Sequence, residues 1–184
     1  MKKFVFYILK VIFAVVLIAY TLDFLYTIAY EKSTGRNKIQ AIVNAPKSNL
    51  DVLILGSSRA NNHFVTAEFE KQKIKAFNFG MSGATLEESA LMLKFFIANK
   101  WQIQNVLLEV DLNLNSEGFS DGTRALFMPF LRNPIVRDYY KSSANFNEMY
   151  SIPFYRYTVY ESKIGLRELF FSIINKKSNC KCFS

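Results

Sequence analysis

The chain has 184 residues and a net charge of +8, with 51% apolar and 21% charged residues. That composition excludes a disordered chain. Beyond the first 30 residues, the length suffices for one ordinary α/β domain but not two. Cys180 and Cys182 lie too close together to close a useful loop and have no partners for a metal site.

The charge is unevenly placed. Residues 1–30 carry +2, residues 31–123 are balanced, and residues 124–184 carry +6. A nucleic-acid surface would interleave basic side chains with base-stacking aromatics on one face. A basic surface facing solvent or lipid fits this chain better, because it opens with a membrane-type segment. No nucleic-acid partner is expected.

Residues 4–28 contain only two charges, Lys10 and Asp23. The uncharged run 11–22 is shorter than the roughly 20 residues a spanning helix needs. Lys10 can snorkel to the headgroups and Asp23 lies near the other end, so residues 4–28 can span. A cleaved signal peptide is the rival, but the small-x-small sites ending at Thr21 and Ala29 are poor. A buried core helix fits badly, since the run is apolar on all sides. Residues 1–30 therefore read as an uncleaved, single-pass signal anchor. Lys2, Lys3 and Lys10 favour a cytoplasmic tail and an extracytoplasmic domain, although Lys32, Arg36 and Lys38 flank the other end.

Residues 31–49 read as a linker containing Gly35 and Pro46. Residues 51–56 (DVLILG) are a continuous apolar run stopped by glycine, as expected of a parallel strand buried on both faces. A short helix is predicted over 66–73, with Glu68 and Glu70 in its first turns, then a strand over 76–79. Thr85 and Glu88 have capping-box spacing, and Leu86, Ala90, Leu93 and Ile97 recur at helical spacing after them. Residues 105–111 (NVLLEVD) are a third strand. This alternation predicts right-handed crossovers and a doubly wound parallel sheet. Ligands in such sheets bind at the carboxyl ends of the strands, where residues 56–59, 80–83 and 111–113 lie. Gly, Ser and Asn there also simply make tight turns.

The three loops resemble those of the SGNH/GDSL family of serine esterases and acyltransferases, especially its membrane-anchored members acting on cell-envelope glycans. Gly56, Ser57 and Ser58 match the family's first block, which implies Ser58 as nucleophile. Asn78 to Thr85 matches the second block, with Gly83 at the oxyanion-hole glycine. Residues 107–113 match the third block in spacing and put Asn113 at its functional asparagine. They depart at Asp111, where the family usually has glycine, and at Leu114, where it usually has aspartate. The implied fold is a three-layer, flavodoxin-like parallel sheet over residues 50–115, incomplete here and preceded by one transmembrane helix.

Attack of a hydroxyl on an ester leaves an oxyanion that preorganised donors must meet. The N–H groups of Ser58 and Gly83 and the Asn113 amide would supply them. Arg59 is the candidate to bind an anionic or glycan substrate, or equally a surface residue at a helix start. The family's Asp-x-x-His, which supplies the general base, occurs nowhere in these 184 residues. His63 is the single imidazole, close after Ser58 on the same segment, and a surface role suits it better than that of base. A serine without an adjacent base is a poor nucleophile.

Residues 116–184 are basic and aromatic-rich and read as a helical insertion or tail. A loop is expected over 116–123, with helices over 133–142 and 162–175, and the aromatics read as packing rather than as a binding platform. The ending resembles that of a chain stopping short of the family's remaining strands. A three-stranded parallel sheet alone is a small core with exposed edges.

The sequence thus points to a membrane-anchored SGNH-like esterase or O-acyltransferase domain that lacks its base. A non-catalytic glycan- or partner-binding relative is the alternative. The resemblance implies an acylated polysaccharide or glycan substrate, a membrane acyltransferase partner, and neither cofactor nor metal. A nucleotide site is disfavoured, because residues 56–59 lack the glycine spacing and lysine of a phosphate cradle.

Overall fold

No glycine or proline interrupts residues 2–32, and they form one continuous helix, α1 (Lys2–Lys32), in the computed structural model. The structure describes residues 2–32, 38–44, 47, 49–110 and 118–159. The predicted helix over 162–175 lies outside them. The apolar part of α1 has a mean hydropathy of 2.4 and none of it is buried, so α1 is long and apolar enough to cross a membrane. The Lys10 ammonium turns back over the Phe6 ring, 4.6 Å from its centroid, in the direction helical side chains naturally lean.

After Leu22 the helix enters the protein. Asp23 and Tyr26 are buried, and the Asp23 carboxylate accepts a hydrogen bond from the buried Arg156 guanidinium. Arg156 also donates to Thr27 Oγ1 at 2.8 Å, and Thr27 Oγ1 pairs with the Tyr157 hydroxyl at 2.8 Å. Tyr26 packs edge-on against Phe154. The last turns of α1 are thus built into the domain rather than serving as a tether.

The segment read as a linker contributes helix α2 (Lys38–Asn44), whose Ile39 and Ile42 are fully buried. Trp101 Nε1 donates to the Ile42 carbonyl at 3.0 Å and fixes α2 to the start of a distant strand.

Three strands, β1 (Asn49–Leu55), β2 (Ala76–Asn78) and β3 (Gln102–Leu108), form a parallel sheet in the order β2-β1-β3. The predicted alternation is present, with β1 central. Pairing of Leu53 with Phe77 and Val106, and of Leu55 with Leu108, puts these residues on one face. Leu53, Leu55, Phe77 and Phe79 join the main core. The β3 end of that face is open, with Val106 and Leu108 exposed.

The predicted capping box is present at the start of α5 (Leu86–Ala98): Thr85 Oγ1 accepts from the Glu88 N–H, and Glu88 accepts from the Thr85 N–H. α5 is buried on two sides. Phe96 meets Phe77, Phe79 and Trp101, while Phe95 meets Phe127 and Phe130. Phe127 and Phe130 belong to α6 (Asp121–Phe127) and the 3-10 turn Met128–Phe130, which α7 (Pro134–Tyr140), α8 (Phe146–Ser151) and α9 (Tyr155–Val159) follow. The described residues of the aromatic third, 118–159, therefore form a layer over α5 and the end of α1. Residues 121–123, expected in a loop, start α6 because the Ser120 hydroxyl caps it.

Candidate functional site

Two short helices lie between β1 and β2: α3 (Ser58–His63) and α4 (Thr66–Lys71). The second matches the helix expected over 66–73; the first starts inside the loop expected over 56–59, with Arg59 at the helix start that was its alternative. Ser57 caps α3, accepting from the Arg59 N–H at 3.3 Å, while its carbonyl accepts from the Asn61 N–H. Ser58 is thus the first residue of a helix that starts directly at the end of β1. Such a position leaves its N–H without an intrahelical acceptor. Among the described residues neither that N–H nor the Ser58 hydroxyl has a hydrogen-bond partner, and Ser58 is partly exposed.

The ends of the three strands are stitched together. The Met81 N–H donates to the Gly56 carbonyl at 3.0 Å, which joins the first two loops. Glu109, just past β3, accepts from the Ser57 N–H at 3.1 Å and the Ser57 hydroxyl at 2.9 Å. Gly56 has φ +139°, and a Cβ there would lie 2.8 Å from Glu109 Cβ, so the carboxylate reaches Ser57 only across a glycine. The carboxylate holds Ser57, not Ser58.

Asn78 buttresses α3 from β2. Its Nδ2 donates to the carbonyls of Ala60 (2.7 Å) and Phe64 (2.8 Å), and its Oδ1 accepts from the Gly80 N–H (2.9 Å). Gly83 sits in an exposed turn at φ +76°, where an added Cβ would come within 3.0 Å of Ser120 Oγ. Ser120 is brought there by Glu88, whose buried carboxylate accepts the Ser120 N–H at 2.9 Å. Burial raises the Glu88 pKa, against these hydrogen bonds and the charge of Arg124.

Arg59 is exposed as the second residue of α3, and His63 is exposed as its last. Five residues of helix separate His63 from Ser58 by about 7.5 Å along the axis. Asn113 lies outside the described residues.

Sequence reasoning missed Glu109 and Lys38. The Lys38 ammonium, at the start of α2, donates to Asn61 Oδ1 (2.6 Å) and to the Gly80 carbonyl (2.8 Å), bridging α3 and the second loop. Burial pushes it down from 10.5 to about 8. The unfolded chain then binds more protons than the folded one between those values, so stability rises with pH across that window. Lys47, also lowered by burial, adds in the same direction. Tyr139 and Tyr140, raised by burial, oppose it only above about pH 10, where an unfolded tyrosine ionises. The melting temperature of the wild type should therefore climb from pH 8 toward 10. Lys38→Met should remove most of that climb; an unchanged slope would show that Lys38 is not held this way.

A cleft of about 600 Å³ runs between α5 and α7, lined by Lys94, Phe119 and Tyr139 among others, and does not include Ser58. No family model, no curated protein and no solved structure matches the chain.

Proposed function

We propose that the chain is a membrane-anchored, SGNH-like esterase or O-acyltransferase domain acting on cell-envelope glycan, with Ser58 as the nucleophilic position. The observation that carries this reading is the first loop. A parallel strand ends in a glycine at positive φ, a clamped serine follows, and Ser58 opens the next helix with its N–H and hydroxyl unengaged by described residues. A helix start of that kind presents a hydroxyl beside an N–H suited to a developing oxyanion.

The chain carries no Asp-x-x-His, so turnover by this chain alone should be slight. Labelling with a fluorophosphonate probe tests the reading. Wild type should label weakly or not at all, and added imidazole, standing in for the absent base, should raise labelling at Ser58. Ser58→Ala should abolish that gain. No Ser58-dependent labelling with imidazole present would sink the esterase reading.

A second reading, a non-catalytic glycan- or partner-binding protein, is favoured by the carboxylate. Glu109 holds Ser57, and no described side chain hydrogen-bonds to the Ser58 hydroxyl. Binding of acylated glycan that survives Ser58→Ala would support it.

A further inference from the structure

The apolar run of α1 ends where the folded domain begins, with no spacer between them. Residues 4–22 rise about 28 Å along the helix, close to the roughly 30 Å thickness of a bilayer's hydrocarbon. The next residue, Asp23, is already buried against Arg156. If α1 crosses a bilayer, the first protein surface beyond residue 22 lies at headgroup depth.

That surface is the turn following Met128–Phe130, where Arg132 shares a cleft of about 420 Å³ with Tyr20, Thr21, Asp23 and Phe24. Tyr20 and Phe24 are 56% and 63% exposed, and aromatic rings of this kind favour the membrane interface. Asp23 is the one acid lining the cleft, and it is engaged by Arg156. Thr21 is engaged by the Leu17 carbonyl. Arg132 is exposed and makes no ion pair or hydrogen bond with a described residue. A planar guanidinium with no partner among the described residues at this depth matches a phosphate in charge and in the geometry of its donors.

We propose that Arg132 binds the phosphate of an anionic lipid headgroup in the cleft beside Tyr20 and Phe24, so that the domain sits flush on the bilayer. The proposal rests on α1 crossing a bilayer and not on any chemistry at Ser58.

The test uses the full chain in mild detergent with phosphatidylglycerol supplied, and native mass spectrometry to count retained lipid. Wild type should keep the lipid, and Arg132→Ala should retain about fivefold less, as expected for one basic residue at a lipid surface. Arg132→Gln should behave like the alanine variant, and Arg132→Lys should restore part of the retention. Arg137→Ala, at a residue already paired with Asp138 at 3.5 Å, should match wild type. Equal retention by wild type and both neutral variants would overturn the proposal. Displacement of the lipid from wild type by inorganic phosphate would overturn it equally, by showing a site for a free anion.

Discussion

Replacing Asp23 by alanine should destabilise the folded domain by about 3–5 kcal/mol, the usual effect of removing one partner of a buried ion pair. The Arg156 side chain is only 4% exposed, and its other acceptors are the neutral Thr27 hydroxyl and the Met128 carbonyl, at 3.4 Å. Without the carboxylate, a full positive charge remains in a site sealed by Tyr26, Phe154 and Tyr157. In a chain of this size the melting temperature should fall by about 6–20 °C. The double variant Asp23→Leu, Arg156→Met should recover most of the loss, because it leaves no buried charge behind. An Asp23→Ala melt within a degree or two of wild type would show that α1 does not dock on the domain in this way. The same contacts bear on processing. A cut after Ala29 would remove Asp23, Tyr26 and Thr27 together, and with them the partners of Arg156 and Tyr157 in the buried cluster.

Gly80→Ala should be strongly destabilising, although the backbone of Gly80 is open to any residue. The new Cβ would lie 2.5 Å from the Asn61 backbone nitrogen and 2.7 Å from Ala60 Cβ. Neither contact is with the loose end of a flexible side chain, so α3 itself would have to move. It is held against moving by the Asn78 bonds to Ala60 and Phe64 and by the Glu109 clamp on Ser57. Overpacking of this kind costs about 3 kcal/mol when the neighbours cannot yield. Gly122→Ala is the control: its Cβ would meet the Ser82 carbonyl at 3.6 Å and Ser120 Oγ at 3.9 Å, both ordinary contacts, inside a helix where alanine is preferred. Chemical denaturation should separate the two variants by more than 2 kcal/mol, and amide exchange within α3 should accelerate only in Gly80→Ala. Equal stability of the two would mean that α3 is not seated against β2 through this glycine.

The parts of the fold that local chemistry determines were legible from the residues. The Thr85–Glu88 capping box is a four-residue event, and β1 is an unbroken apolar run halted by Gly56. β3 begins three residues before the expected strand, because Gln102 and Gln104 sit on an exposed edge strand where polar residues lose nothing. α2 and the docked end of α1 escaped notice for a different reason. Their partners, Trp101 for Ile42 and Arg156 for Asp23, are 59 and 133 residues away in sequence. At the candidate site, the loops carrying Ser58 and Gly83 were placed at strand ends from pattern alone. Glu109 carried a usable signal, a lone carboxylate closing an apolar strand. Its target, Ser57, becomes apparent only when Gly56 brings β1 and β3 together.

The unbroken course of α1 has a mechanical consequence. A membrane helix meets a bilayer thinner than its apolar run by leaning, commonly by about 20°. Between Leu22 and Lys32 there is no glycine, proline or loop to absorb that angle, and the buried turns lock helix to domain. Any lean of α1 is therefore transmitted to the sheet and its strand ends as a rigid lever. If α1 crosses a bilayer, the orientation of Ser58 toward the membrane plane would then follow the thickness of that bilayer.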